Sequence, residues 1–139
     1  MKKIIKIMLV IFWMGVIFTF SNQKATDSTK LSDGFIKNTI VKVFHIDDPE
    51  VIQNMTKPVR KAAHFTIYLI LGILVINCFD KKDEDGIINA LLICFLYAVG
   101  DEVHQVFVDG RSAEFIDVII DTLGSILGIF IHKRVTTNK

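Results

Sequence analysis

Two carboxylates, Asp117 and Asp121, lie four residues apart in segment 115–131, which is otherwise apolar enough to cross a membrane. A carboxylate surrounded by hydrocarbon costs several kcal/mol, so such groups usually face a partner or a water-filled cavity. Other polar side chains stand at the ends of two further apolar segments and are available as partners. They are Arg60, Lys61 and His64 in one segment, and Asp101, Glu102, His104 and Gln105 in the other. The sequence therefore predicts a polar site inside a membrane protein.

The residue types define what chemistry this site could perform. A histidine oriented by an aspartate can act as a general acid or base, so the catalytic candidates are His64, Asp101, His104 and Asp121. Arginines suit a phosphate or carboxylate group of a ligand. The candidate ligand-binding residues are Arg60, His64, Asp101, Glu102, His104, Gln105, Arg111, Asp117 and Asp121.

Zinc is also bound by histidine nitrogen and carboxylate oxygen, at about 2.0–2.2 Å. However, Asp101-Glu102-Val103-His104 is not a His-Glu-x-x-His motif, and no two histidines have ligand spacing. The sequence analysis therefore predicts no metal and no cofactor.

Each polar residue also has a purely structural interpretation. Lys61 is typical of an anchor at the membrane interface. Arg111 and Asp117 could form an ion pair that ties two helices together. The whole set could be a polar network that fixes helix packing. Asp121 fits a structural role least well, because carboxylates within the membrane are functional by default.

The elements that carry these residues are predicted from composition. Hydrophobic residues make up 51% of the 139-residue chain, and the mean hydropathy is +0.46. We predict an all-α protein with a bundle of four transmembrane helices, in a single domain over residues 1–139. The third apolar run, 87–99, is too short to span. If it continues to Val108 it reaches about 33 Å, at about 1.5 Å per residue, and this places Asp101 to Gln105 at membrane depth. The predicted spans are 4–20, 62–79, 87–108 and 115–131.

The charge distribution predicts topology. The net charge of +1 gives no indication of nucleic-acid binding. Lysine and arginine are densest in segments 1–6, 80–86 and 132–139, so we expect both termini to be cytoplasmic in a multi-pass protein of the plasma membrane. The first span lacks a clear cleavage site and is predicted to be an uncleaved anchor.

The predicted outer loop, 21–59, should contain structure of its own. Apolar residues recur at helical spacing in residues 28–44 with lysines between them, which predicts an extracytoplasmic amphipathic helix. Pro49 predicts the start of a second short helix, and Pro58 the start of the second span.

Helical spacing predicts which side chains share a face. Asp101, His104 and Gln105 form one stripe, with Glu102 turned aside. Two further stripes are Lys61, His64, Phe65 and Tyr68, and Asp117, Asp121 and Ser125. Gly124 and Gly128 form a small-residue face, which either packs against another span or serves a homo-oligomer.

These residues together resemble the VanZ-like family over nearly the whole chain. The resemblance is carried by Phe20-Ser21-Asn22-Gln23, by Arg60-Lys61-x-x-His64-Phe65-x-x-Tyr68, by Tyr97-x-x-x-Asp101-Glu102-x-His104-Gln105-x-Phe107, by Gly110-Arg111, and by Asp117-x-x-x-Asp121-x-x-Gly124-x-x-x-Gly128. Asn22 stands where a small residue such as serine is common.

The resemblance implies a small multi-pass membrane protein. Members found in glycopeptide-resistance clusters are linked to reduced susceptibility to teicoplanin, a lipid-tailed glycopeptide. We therefore expect an envelope protein whose outward-facing polar site engages a lipid-linked or lipoglycopeptide ligand within the bilayer. One alternative is an intramembrane hydrolase or transferase that acts on a lipid-linked head group. Another is a small proton-coupled transporter.

Overall fold

The computed structural model describes residues 2–23, 30, 34–35, 49–79, 83–110 and 114–137. These residues form four long helices: α1 Lys3–Ser21, α2 Pro49–Asn77, α3 Glu84–Gln105 and α4 Phe115–Thr137. Each helix contains a stretch long and apolar enough to cross a membrane. The predicted all-α architecture with four candidate spans is therefore confirmed.

The third helix includes the polar residues 101–105, within a stretch that is long and apolar enough to cross a membrane. It begins after Asp83, whose side chain accepts a hydrogen bond from the Gly86 backbone N–H at 3.1 Å and caps the helix. It ends at Gln105 rather than at Val108, so the polar residues occupy its last two turns. Gly110 has a positive φ of 77°, a conformation that glycine adopts at little cost, in the connection that turns the chain toward α4.

The second helix differs from the prediction. Pro49 and Pro58 do not begin two separate helices, because α2 runs without interruption from Pro49 to Asn77 with Pro58 inside it. A proline in a helix interior removes one backbone hydrogen bond but does not force the helix to end. Consequently the predicted outer loop is helical from residue 49 onward.

Two other predictions concern residues beyond this description. The amphipathic helix of residues 28–44 lies outside the described residues except for Lys30, Gly34 and Phe35. Arg111 also lies outside them, and so does its predicted ion pair with Asp117.

Glycines allow α2 and α4 to approach closely. A Cβ placed on Gly124 would lie 2.4 Å from the Phe65 carbonyl oxygen, and one on Gly128 would lie 2.0 Å from that of Leu69. From the opposite side, a Cβ on Gly72 would lie 2.3 Å from the Ser125 carbonyl oxygen. The small-residue face therefore packs against α2 within one chain. A homo-oligomer formed through Gly124 and Gly128 would have to displace α2 from this face.

Side-chain hydrogen bonds to backbone carbonyls join the first helix to the others, beside the core packing of residues such as Ile17. Trp13 Nε1 donates to the Ile67 carbonyl at 2.9 Å, and the Tyr97 hydroxyl donates to that of Met14 at 2.6 Å. At the end of the bundle that holds the N-terminus, Lys6 Nζ donates to the Asn77 carbonyl at 2.8 Å. The polar residues of the predicted site gather at the opposite end, where Ser21 meets Asp101.

Candidate functional site

Asp121 is the most deeply buried charged residue of the described structure, with a relative exposure of 0%. It lies on α4 and faces His64 of α2, with 3.7 Å between Asp121 Oδ2 and His64 Nδ1. At that distance the pair is an electrostatic contact but not a hydrogen bond. The two carboxylate oxygens of Asp121 have no hydrogen-bond partner among the described residues. The same is true of His64 Nδ1. A buried polar group without a partner costs about 1–3 kcal/mol, more when it is charged.

Asp101 of α3 meets the same point from a third helix. One of its oxygens, Oδ2, accepts a hydrogen bond from the Ser21 hydroxyl of α1 at 2.6 Å, while Oδ1 has no described partner. One side-chain nitrogen of His64 and one carboxylate oxygen each of Asp101 and Asp121 lie within 4.8 Å of one another. We call these three residues the interior cluster. All three were predicted from the sequence as candidate catalytic and ligand-binding residues, and the structure brings them together.

Tyr68 adds a hydroxyl to the surroundings of the interior cluster. It is fully buried on α2, one turn beyond His64, and its hydroxyl lies near Asp101 and Asp121 without a hydrogen bond of normal geometry. On α4, Ser125 donates to the carbonyl oxygens of Tyr68 and Asp121, each at 3.2 Å. Ser125 thus donates to backbone carbonyls and not to the Asp121 carboxylate.

Glu102 was predicted as a ligand-binding residue that lies off the stripe of Asp101, His104 and Gln105. It is buried, with a relative exposure of 4%, and its Oε2 accepts a hydrogen bond from the Glu114 backbone N–H at 2.9 Å. Adjacent residues of α3 can both be buried because α3 is contacted on more than one side. Glu102 joins the end of α3 to the residue that precedes α4.

The outer edge of the site contains a second group, Lys61, Glu114 and Asp117, which we call the rim cluster. Lys61 Nζ lies 2.9 Å from Glu114 Oε2 and also pairs with Asp117. Because Lys61 donates a hydrogen bond to Glu114, the pKa of the Glu114 carboxyl is lowered from its ordinary value. The anchor interpretation of Lys61 is therefore incomplete, since its ammonium joins α2 to α4.

A small cavity of about 10 Å³ separates the two clusters. Its volume is close to the space that one water molecule needs. Seven residues line it: Arg60, Lys61, His64, Gln105, Asp117, Ile120 and Asp121. Arg60, Gln105 and Asp117 are thus placed beside the interior cluster, as the sequence predicted.

His104 does not join the other candidates. Its ring packs on Phe18 of α1 with 4.6 Å between ring centroids, and its Nε2 lies 3.3 Å from Asn22 Oδ1. A face shared with Asp101 along α3 does not decide which neighbouring helix a side chain meets, and here α1 receives His104. The interior cluster therefore contains His64 as its histidine.

Sequence reasoning did not assign two of the residues that hold the site together. Ser21 appeared only within one of the blocks that carry the family resemblance, yet its hydroxyl donates a hydrogen bond of 2.6 Å to Asp101 Oδ2. Glu114 was not considered, although an acidic residue immediately before α4 is a recognisable helix-start signal.

Residues 6–136 match the VanZ/LLP1 family, which covers almost the entire chain. The protein belongs to the VanZ/LLP1 family. A comparison with curated proteins gives no match, and neither does a comparison with solved structures. With four candidate spans, this VanZ-family chain is a multi-pass membrane protein.

Proposed function

We propose that this VanZ-family protein acts in the cell envelope by binding the polar head of an amphipathic ligand at its intramembrane site. Through that binding it modulates susceptibility to lipid-tailed glycopeptides such as teicoplanin. The observation that carries the proposal is Asp121, a fully buried carboxylate without a described hydrogen-bond partner, which faces His64 beside a small cavity. A membrane protein keeps such a destabilising group where it has a functional use.

The proposed orientation places both termini in the cytoplasm and the site toward the outer leaflet. The supporting observation is that basic residues are concentrated near the N-terminus, between α2 and α3, and at the C-terminal end of α4. These segments share one end of the bundle, because Lys6 bonds to the last residue of α2. The interior cluster lies toward the other end, where a ligand embedded in the outer leaflet would present its head.

The residues around the cavity define the chemistry of the proposed ligand. Asp101 and Asp121 have free acceptor oxygens and therefore suit an amide or ammonium donor. Arg60 suits an anionic group on the same head. Because the cavity holds only about one water molecule, it would take a terminal group of the ligand while the apolar remainder stays among lipids.

A second candidate function is hydrolysis or transfer at a lipid-linked head group. The observation that favours it is the position of His64, 3.7 Å from Asp121, the arrangement of an acid–base histidine with an orienting carboxylate. In this function His64 transfers the proton and Arg60 binds the phosphate. Turnover of a lipid phosphate with a bell-shaped pH profile, lost in His64→Gln, would favour this candidate over simple binding.

The test of the proposed function is antibiotic susceptibility in a laboratory host that expresses the wild-type chain or single variants. We expect wild type to protect against teicoplanin more than against vancomycin, which lacks the lipid tail. Asp121→Asn and His64→Gln should abolish the protection because they change the interior cluster. Membrane levels are checked by immunoblot, so that loss of protein is not mistaken for loss of function.

His104→Gln is the matched control, since it makes the same substitution at a histidine that faces α1. It should retain protection. Full protection by Asp121→Asn at normal membrane levels would reject the site, and no protection by wild type would separate this chain from the resistance phenotype.

A further inference from the structure

The interior cluster has the composition of a metal site. We propose that His64, Asp101 and Asp121 together bind one divalent transition-metal ion, with Zn²⁺ as the best chemical fit. Zinc in proteins accepts nitrogen from histidine and oxygen from carboxylates, and sites with three protein ligands leave a fourth position open. This inference deepens the proposed function and rests on the same site. An amide oxygen of the ligand head would take the open position on the ion, in place of a direct hydrogen bond from the ligand to the carboxylate oxygens that hold the metal.

The geometry of the three side chains supports a single ion. In a tetrahedral zinc site with bonds of about 2.0–2.2 Å, ligand atoms lie about 3.3–3.6 Å apart. His64 Nδ1 and Asp121 Oδ2 are separated by 3.7 Å, which is nearly that spacing. The full set of donor atoms lies within 4.8 Å, so modest side-chain rotation about an ion would complete the set.

The hydrogen bonding of the same atoms gives an independent reason. His64 Nδ1, Asp101 Oδ1 and both oxygens of Asp121 are buried and lack described hydrogen-bond partners. Asp121 has a relative exposure of 0% and Asp101 of 4%, so water does not replace those partners at the surface. These atoms are donors that a metal would use, whereas Asp101 Oδ2 is already held by Ser21. That bond is the kind of outer contact that orients a metal ligand.

Charge balance favours a cation at this position. Five carboxylates belong to the described site, those of Asp101, Glu102, Glu114, Asp117 and Asp121, and two cationic side chains stand against them, those of Arg60 and Lys61. Lys61 is already shared between Glu114 and Asp117. A divalent ion would balance the two buried negative charges of Asp101 and Asp121, which have no cationic side chain of their own among the described residues other than His64.

The sequence analysis predicted no metal because it searched for ligand spacing along one helix. In the structure the three candidate ligands come from α2, α3 and α4. Spacing along the chain carries no information about a site assembled in that way. A metal bound there would also connect three helices, so its binding should stabilise the folded bundle.

The test uses purified full-length protein in detergent, stripped with a chelator and then incubated with ZnCl₂ or MnCl₂ alone. Metal content is measured by elemental analysis after gel filtration, and thermal unfolding is followed with and without each metal. We expect wild type to retain zinc in equimolar amount and to unfold at a higher temperature when zinc is present. His64→Gln, Asp101→Asn and Asp121→Asn should each weaken zinc binding by more than about 100-fold, the upper range for contacts that only orient a ligand.

Two control variants keep the result specific. His104→Gln removes a histidine that faces α1, and Glu84→Gln removes an exposed carboxylate in the first turn of α3, outside both clusters. Both variants should bind zinc like wild type. Asp121→Glu keeps a carboxylate and should regain part of the binding lost in Asp121→Asn, which guards against a variant that merely misfolds.

The inference is overturned if wild type retains neither metal and neither metal changes its unfolding. It is also overturned if all three cluster variants bind zinc as tightly as wild type, because the ion then sits elsewhere. Loss of antibiotic protection in Asp121→Asn without zinc binding by wild type would reject the metal but keep the proposed function. Zinc binding without any antibiotic protection by wild type would keep the metal site but reject the proposed function.

Discussion

The interior cluster and the rim cluster contain similar groups within one helical turn of each other, but their surroundings differ. In the rim cluster, the ammonium of Lys61 is bonded to Glu114 and Asp117. In the interior cluster, Asp121 is more deeply buried than either rim carboxylate yet has no described hydrogen bond. A structural ion pair satisfies its own members, as the rim cluster does. Charged groups that are buried and left unsatisfied indicate a site that is completed by something bound.

The largest expected effect comes from neutralising the interior cluster. Asp121→Asn removes a buried charge and keeps nearly the same shape, so it should abolish antibiotic protection and metal binding. The metal-free variant should nevertheless be as stable as wild type or more stable, by up to about 1–3 kcal/mol, because an unpaired carboxylate is no longer buried. Denaturant unfolding of the metal-free proteins measures this difference. A strongly destabilised Asp121→Asn would instead mean that Asp121 holds the bundle together.

The matched rim variant, Asp117→Asn, should behave in the opposite way. It leaves Lys61 with Glu114 as its remaining partner, so a small loss of stability is expected, about 1 kcal/mol or less. Comparable loss of function in Asp117→Asn and Asp121→Asn would remove the distinction between the two clusters.

A further variant distinguishes the two clusters by increasing the distance between α2 and α4. Gly124 lies against the Phe65 carbonyl, so Gly124→Ala must push α4 away from α2, at a cost of about 1–3 kcal/mol. His64 and Asp121 are short side chains and should move out of contact, whereas the long Lys61 side chain can follow its partners. We expect reduced stability together with loss of zinc binding. Gly100→Ala is the control, because a Cβ at Gly100 would meet nothing within 4 Å.

The sequence predicted the architecture well for physical reasons. Apolar length and charge density determine spans, and helical spacing correctly placed Asp117, Asp121 and Ser125 on an inward face. Sequence reasoning failed where the outcome depends on which helices are neighbours. On α3, His104 belongs to the predicted stripe but contacts α1, and Glu102 lies off the stripe but is buried against the residue before α4.

The prolines illustrate a different limit. Pro49 and Pro58 both carry a helix-start signal, yet only Pro49 begins a helix in the structure. Local propensity gives the cost of a proline inside a helix but not the packing that offsets this cost. The sequence likewise named the residues of the interior cluster among its candidates. Which of those candidates lie together depends on how three helices pack against one another.

A moderate effect is expected at Ser21, the contact that orients Asp101. Ser21→Ala removes the hydrogen bond of 2.6 Å to Asp101 Oδ2 without touching the three proposed ligands. Zinc affinity should fall by about 10- to 100-fold, as for other contacts that orient a metal ligand. Isothermal titration with zinc measures the change. Thr19→Ala is a suitable control on the same helix, since its hydroxyl bonds only to the Val16 carbonyl.

The smallest expected effect is the pH dependence of the rim cluster. The pKa of Glu114 is lowered in the folded protein from an ordinary value of 4.5, because Lys61 donates a hydrogen bond to its carboxylate. A lowered folded-state pKa contributes stability that is fully present above the unfolded-state value and is lost as pH falls through the folded-state value. Glu114 is largely exposed, so solvent screening keeps this contribution small. Unfolding of wild type and Glu114→Gln at pH values on either side of 4.5 should show the two proteins converging in stability at the acidic end. If the gap between them widened on acidification, the Lys61–Glu114 pair would not be what stabilises the rim.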